Sequence, residues 1–203
     1  MNLARRFLVT GARGAFGREL TNALQAAGAS VATARFGEDW TYGDYGFFSR
    51  ARLAPIDVLV LSHGAKGAQA MAANCTSFVE IAERYRHARG ETSQPAEIWG
   101  LGSEIELHPA FGATARGYLE SKRAYARYAA RLYGDDGVTY RHIVPAAFRS
   151  GMGPGPISAR TAVRIALFFL ARDWKYVPVT YTGMAWLNYL RFRRLSLAAH
   201  GRG

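Results

Sequence analysis

The chain has 203 residues, 49% of them hydrophobic and 20% charged, and carries a net charge of +11. That apolar share supports a sizeable core and argues against disorder, while the lone cysteine, Cys75, excludes an internal disulfide and a thiolate zinc cluster. The basic excess is nearly all arginine, 23 Arg against three Lys (Lys66, Lys122 and Lys175); it suits phosphates, acidic substrates, anionic lipid, nucleic acid or a plain basic surface, and selects none of them.

Met1 to Arg6 runs straight into an expected strand, so no signal peptide is expected. The longest unbroken apolar run, Ile165 to Ala171, is too short to cross a bilayer. With the single cysteine, this gives a cytoplasmic expectation.

The first strand is expected over 6–10, where Phe7-Leu8-Val9 leads into Thr10-Gly11-Ala12-Arg13-Gly14-Ala15-Phe16-Gly17 and a helix over 15–27. Strand, glycine turn and helix N-terminus make an anion site from backbone N–H groups and the helix dipole. Gly11 permits the tight turn, Gly14 lets a pyrophosphate approach, and Gly17 lets helix and sheet pack closely. The second strand, 30–35, ends in Arg35. An acidic residue there would bind a ribose 2′-hydroxyl; Arg35 with Arg13 suits a 2′-phosphate instead. NADP(H) is therefore expected ahead of NAD(H), and Glu38 and Asp39 keep NAD(H) open.

Further strands are expected over 39–42, 57–62, 97–102, 138–144 and 176–180, and helices over 45–52, 67–88, 116–133, 158–172 and 183–195. The alternation predicts an α/β fold, a doubly wound parallel sheet of about seven strands in a single domain over 1–203. Ser150 to Pro156 is too rich in Gly and Pro for helix or strand.

Two segments carry chemistry. Ser103 closes the strand over 97–102, where its hydroxyl can donate to a carbonyl oxygen gaining charge, or simply cap a turn. In the helix over 116–133, Tyr118 and Lys122 are four apart and share a face. A free tyrosine has a pKa of about 10, and a nearby ammonium draws it toward the working range. Lysine is so rare here that this pairing stands out, and a planar guanidinium does not replace a compact ammonium that bonds both ribose and tyrosine. The scattered His63, His87, His108, His142 and His200 are read as non-ligands, and no metal site is expected. The tail over 183–203 mixes large apolar residues with Arg191, Arg193 and Arg194. It is expected to pack on the core or on a second subunit, with peripheral contact to an anionic membrane as the alternative.

Together these residues resemble the short-chain dehydrogenase/reductase superfamily over nearly the whole chain. The resemblance implies a Rossmann fold and a cofactor loop at Thr10–Gly17. It implies a nicotinamide site continued by Ser62-His63-Gly64, where the superfamily usually has Asn-Ala-Gly, and by Pro145, Phe148 and Ser150, with Ala146 in place of the usual glycine. It also implies a catalytic set of Ser103, Tyr118 and Lys122, with Asn74 completing a proton relay. Homo-oligomers are expected on the same ground. A narrower similarity, carried by Gly102–Phe111, Tyr118–Ala124 and Val177–Met184, is to bacterial sterol desaturase/short-chain dehydrogenase proteins, and implies a hydrophobic, lipid-like substrate. The segment after Pro145 is short for the superfamily, which implies a reduced substrate lid.

The expected activity is interconversion of a small-molecule carbonyl and alcohol by hydride transfer. A non-catalytic NADP(H)-binding regulator and isomerase or dehydratase chemistry on the same fold are the alternatives. A nucleic-acid partner is not expected, since no helix carries a continuous basic stripe with interleaved aromatics.

Overall fold

The computed structural model describes residues 5–90 and 95–201. Six parallel strands form one sheet: β1 (Arg6–Thr10), β2 (Ser30–Ala34), β3 (Val58–Leu61), β4 (Ala96–Leu101), β5 (Val138–Pro145) and a last strand, Tyr176–Val179, which is β8. Two short strands, β6 (Phe148–Arg149) and β7 (Ile157–Ser158), pair with each other and flank the glycine- and proline-rich loop. The main sheet runs β2-β1-β3-β4-β5-β8, so the winding reverses between β1 and β3. Open sheets of this kind place ligands outside the carboxyl ends of the strands at that reversal.

Helices cover both faces. On one side lie α1 (Ala15–Ala26) and α5 (Ala159–Leu170); on the other lie α2 (Arg50–Leu53), α3 (Ser77–Gly90), α4 (Ala113–Tyr133) and α6 (Met184–His200). Phe7 and Val9 of β1 pack beneath Phe16, Leu20 and Leu24 of α1, while Leu8 joins the opposite core with Leu59 and Phe78. Burial of both faces explains why β1 and β3 read as unbroken apolar runs rather than alternating ones.

The sheet has one strand fewer than expected. Residues 39–42 form isolated bridges, Phe36 to Trp40 and Thr41 to Asp44, and not a strand. Gly37 and Gly43, at φ of 84° and 95°, break the extended path. Trp40 becomes the hub of a ring cluster instead, with Phe36 at 5.1 Å, Tyr45 at 5.9 Å and Phe48 at 5.6 Å between centroids. The helix expected over 45–52 shrinks to the single turn α2, entered after Ser49. The helix expected over 67–88 opens with a π-turn, Ala72–Thr76, before α3. The tail expected over 183–203 is α6 as far as His200, and its last two residues lie outside the described residues.

Candidate active site

The turn after β1 is shaped by close backbone approach. Gly11 sits at φ 73°, and a Cβ there would come within 2.5 Å of the His63 backbone nitrogen. A Cβ on Gly17 would collide with the Gly11 carbonyl and lie 2.8 Å from Ser62 Oγ. The α1 N-terminus at Gly14 has no side-chain cap, so its first-turn N–H groups are left for an anion. Two hydrogen bonds hold the turn against the end of β3: Ser62 donates to the Thr10 carbonyl at 2.6 Å, and Thr10 Oγ1 donates to the Val60 carbonyl at 3.1 Å.

His63 is a strut in this arrangement. Its ring bridges Thr10 Oγ1 at 2.7 Å and Ser77 Oγ at 2.8 Å, wedged between the Trp40 and Phe78 rings. Burial, helped by the nearby Lys122 charge, pushes its pKa down to about 3, so it is neutral. Thr10 Oγ1 also reaches the Val60 carbonyl at 3.1 Å and Ser77 Oγ the Ala73 carbonyl at 3.3 Å, so the neutral ring gives its one N–H to one of these hydroxyls and accepts from the other.

A cleft of about 550 Å³ runs from this turn across the ends of β1 and β3. One end holds Arg13, Arg35, Phe36 and Tyr42; the other holds Asn74, Tyr118, Lys122, Phe148 and Ser150. A second cavity of about 420 Å³ adjoins it, sharing Leu101, Tyr118, Phe148, Ser150 and Met152, and adding Ser103, Ile105, His108, Pro145 and Tyr181. Tyr118 therefore stands at the junction of a long cleft and a shorter, partly apolar chamber. That is the geometry two reacting molecules need.

Lys122 is 3% exposed and donates from Nζ to the Leu101 carbonyl at 2.7 Å. Burial pulls its pKa down to about 8, with the Glu106 charge opposing. The expected depression of Tyr118 is not what the structure gives. Burial pushes the phenol up to about 12, hydrogen bonding to the Ser103 side chain pulls the other way, and the charge of Glu106 adds to the rise. Lys122 Nζ lies 6.0 Å from the centre of the Tyr118 ring and is committed to Leu101, which accounts for its weak hold on the phenol.

Asn74 sits on the π-turn, a form often found at functional positions. Its amide donates to the carbonyls of Ala65 and Ala70 and to Ser121 Oγ, and its Oδ1 accepts from the Ala65 N–H. Ser121 in turn donates to the Tyr118 carbonyl at 2.7 Å. Ser103 takes up the capping role as well: it caps the 3₁₀ turn Glu104–Glu106, its hydroxyl accepting from Ile105 N–H and its own N–H donating to Glu106 Oε1 at 3.0 Å.

Most of the expected residues converge. Gly11, Arg13, Gly14, Ala15, Phe16, Arg35, Ser62, His63, Gly64, Asn74, Tyr118, Lys122, Phe148 and Ser150 line the cleft, whereas Ser103 and Pro145 line the second cavity and Gly17 acts through packing. Phe36, Tyr42, Gln69, Ser121 and Glu106 were not expected. Ser121 was legible as the polar residue one before Lys122; Glu106, buried at 1% exposure, gave no signal beyond its place three after Ser103. Arg13 and Arg35 stand together as expected, but both contact Glu38, at 2.5 Å and 2.8 Å. Among the described residues, no group of His, Cys, Asp or Glu is placed to hold a metal ion.

Solved structures share this fold. A short-chain dehydrogenase from Burkholderia cenocepacia in complex with NADP superposes with a TM-score of 0.75 at 18% identity, covering 98% of each chain. One from Sphingobium yanoikuyae in complex with NADPH gives 0.73 at 17% identity, covering 97% of this chain and 96% of that one. The fold is that of the short-chain dehydrogenases. A 3-alpha-hydroxysteroid dehydrogenase from a Pseudomonas species, complexed with NADH, shares it at a TM-score of 0.72 and 17% identity, over 88% of this chain and 97% of its own. No family model matches the sequence. Among curated proteins, a monoglucosyldiacylglycerol epimerase from Synechocystis sp. is 27% identical over 215 residues, 91% of this chain. The chain spans about half the length of that relative, 51%.

On this fold the residues present fit a nicotinamide dinucleotide. The cradle at Gly11 and Gly17 is one that a Cβ would fill, the helix N-terminus is uncapped, and the cleft is lined from Arg35 to Lys122.

Proposed function

We propose that the protein is a short-chain dehydrogenase/reductase that interconverts a carbonyl and an alcohol with NADP(H). The observation that carries the proposal is the placement of Tyr118 at the junction of the two cavities, with Ser103 and Lys122 beside it. A nicotinamide bound in the cleft supplies or accepts the hydride. The chain's own groups manage the rest. The first-turn N–H groups of α1 hold the pyrophosphate, and Lys122, with one donor spent on Leu101, keeps two for the ribose. Tyr118 and Ser103 face the substrate oxygen from the second cavity; the phenol gives its proton as the oxygen gains charge, and the serine hydroxyl holds that oxygen. A phenol held protonated through the neutral range suits reduction, the direction that consumes a proton.

NADP(H) is preferred because Arg13 and Arg35 converge at the adenosine end of the cleft. Their pairing with Glu38 is largely exposed, 59% and 51% for the arginines and 45% for Glu38. Exposed pairs of this kind contribute about 0–1 kcal/mol, less than bidentate phosphate contacts offer in exchange. The apolar lining of the second cavity, with Ile105, Pro109, Tyr181 and Met152, favours a hydrophobic or lipid-like substrate.

The similarity to a glycolipid epimerase supports a second reading. On that reading the oxidised cofactor would take the hydride from a carbinol carbon while Tyr118 takes the hydroxyl proton, and both would then be returned, the hydride to the other face of the ketone. Incubation with NADPH and with NADH separates the outcomes. Stabilisation against thermal unfolding by either cofactor supports both readings, and absence of stabilisation by both removes them. A carbonyl panel followed at the cofactor absorbance then decides: a reductase consumes cofactor with turnover, and an epimerase leaves its total unchanged.

A further inference from the structure

α6 turns its more polar stripe toward the protein. Its buried positions are Ala185, Asn188, Phe192 and Ser196, spaced by three and four along one face against α4 and the sheet. Trp186, Leu187, Leu190 and Leu197 face outward instead, at 44%, 53%, 60% and 62% exposure. Arg193 and Arg194 are exposed among them, and α6 holds no acidic residue. Core packing, one of the two uses expected first for this segment, therefore occupies only one stripe of the helix.

The apolar surface extends beyond α6. Trp186 meets Trp174 at 5.7 Å and Phe169 at 6.3 Å between ring centres. Phe168, 51% exposed, carries the Arg172 guanidinium 3.5 Å above its ring. The C-terminal part of the sequence is also poor in acidic residues. From residue 137 onward the sequence has ten basic residues and one acidic residue, Asp173, which is bound to Arg141.

We propose that α6 and the adjoining Phe168–Trp174 corner form a docking surface for an anionic lipid bilayer. Leu187, Leu190 and Leu197 enter the boundary between headgroups and acyl chains, the indoles of Trp174 and Trp186 lie at that boundary, and the arginines reach the phosphates. A second copy of the chain fits the surface less well. Two-fold packing of α6 on α6 gathers Arg193 and Arg194 of both copies into one contact, with no acidic residue on the helix to meet them. The docked helix also sits close in sequence to the substrate chamber: Tyr181 and Thr182 line that cavity, and Gly183 leads directly into α6. The proposal stands on this surface alone and does not depend on the redox reading.

Vesicle sedimentation tests it without any cofactor. The protein should pellet with vesicles containing about one third phosphatidylglycerol at least about tenfold more strongly than with pure phosphatidylcholine vesicles, and added salt should reverse this. Two double variants, Trp186→Ser with Leu190→Ser and Arg193→Gln with Arg194→Gln, should each lose about tenfold in binding. Their thermal melts and cofactor-induced shifts should match wild type, which separates lost docking from lost folding. Wild-type protein that stays in the supernatant, or variants that bind as wild type does, would overturn the proposal. So would a dimer that dissociates in the Trp186→Ser, Leu190→Ser variant in the absence of vesicle binding, because it would assign the surface to a second copy.

Discussion

Asn74 donates from Nδ2 to Ser121 Oγ at 3.1 Å, and this bond ties the loop after β3 to the helix that carries Tyr118 and Lys122. The same amide shares its two hydrogens with the carbonyls of Ala65 and Ala70, at 2.7 Å and 2.8 Å. One side chain thus fixes the floor of the cleft relative to Tyr118 and Lys122. Replacing Asn74 by Ala strands several buried polar atoms and should cost about 2–3 kcal/mol of stability. Asn74→Asp should cost more, since it turns the donor into a carboxylate oxygen facing two carbonyls. Denaturant melts of the two variants check the order, and an Asp variant as stable as wild type contradicts it.

Glu38 holds the guanidinium groups of Arg13 and Arg35 at one end of the cleft. Glu38→Gln frees them for a 2′-phosphate, so NADPH should bind about three- to tenfold more tightly while NADH changes little. Arg35→Ala should move the preference the other way. Fluorescence titration with both cofactors reads the ratio directly.

His63 makes stability depend on acid. Its folded pKa, about 3, lies below the ordinary value of 6.5 because burial disfavours the imidazolium and Lys122 adds repulsion. The unfolded chain therefore takes up this proton first as pH falls. The stabilisation is complete above about pH 6.5 and is lost progressively toward pH 3, by an amount on the order of 5 kcal/mol. His63→Gln should be less stable than wild type at pH 7 and should flatten this part of the pH–stability curve. An unchanged slope would remove His63 as its source.

Much of this architecture was legible because local chemistry and global fold agree. Gly11, Gly14 and Gly17 announce a turn that only close backbone approach requires, and Phe7-Leu8-Val9 reads as a strand buried on both faces. Residues 39–42 misled because Trp40, Thr41 and Tyr42 have strand propensity, but the Trp40 and Tyr42 rings pack on each other in a turn and need no sheet. The tail packs on the core as expected, but through a stripe that its spacing does not single out. Amphipathic spacing locates a helix in α6, yet the buried stripe includes Asn188 and Ser196, bonds to Glu106 having outweighed apolar preference at the first of these. The fall expected in the Tyr118 pKa failed on burial, a quantity that the spacing of Tyr118 and Lys122 does not report.

Glu106 links several parts of the site. Its carboxylate accepts from Ser103 N–H and from Asn188 Nδ2, both at 3.0 Å, and stands 3.6 Å from His142 Nε2. Gly102 leaves room for it, since a Cβ there would lie 2.7 Å from Glu106 Oε1. Burial pushes the carboxyl up, but His142, Asn188 and the Ser103 N–H together hold it below its ordinary value, so it is charged. That charge raises the pKa of both Tyr118 and Lys122. Glu106→Gln should lower both and shift the alkaline limb of the kcat–pH profile to lower pH. A profile that falls in amplitude without shifting would mean that Glu106 acts only through structure.

On the proposed reading, Tyr118 transfers the proton in a nicotinamide-dependent reaction. Tyr118→Phe removes one oxygen and keeps the ring against which Lys122 and Lys66 rest. Measured on a carbonyl substrate that the wild-type protein turns over, the variant should bind NADPH within about threefold of wild type and lose at least about a hundredfold in kcat. Turnover within about threefold of wild type would contradict the account.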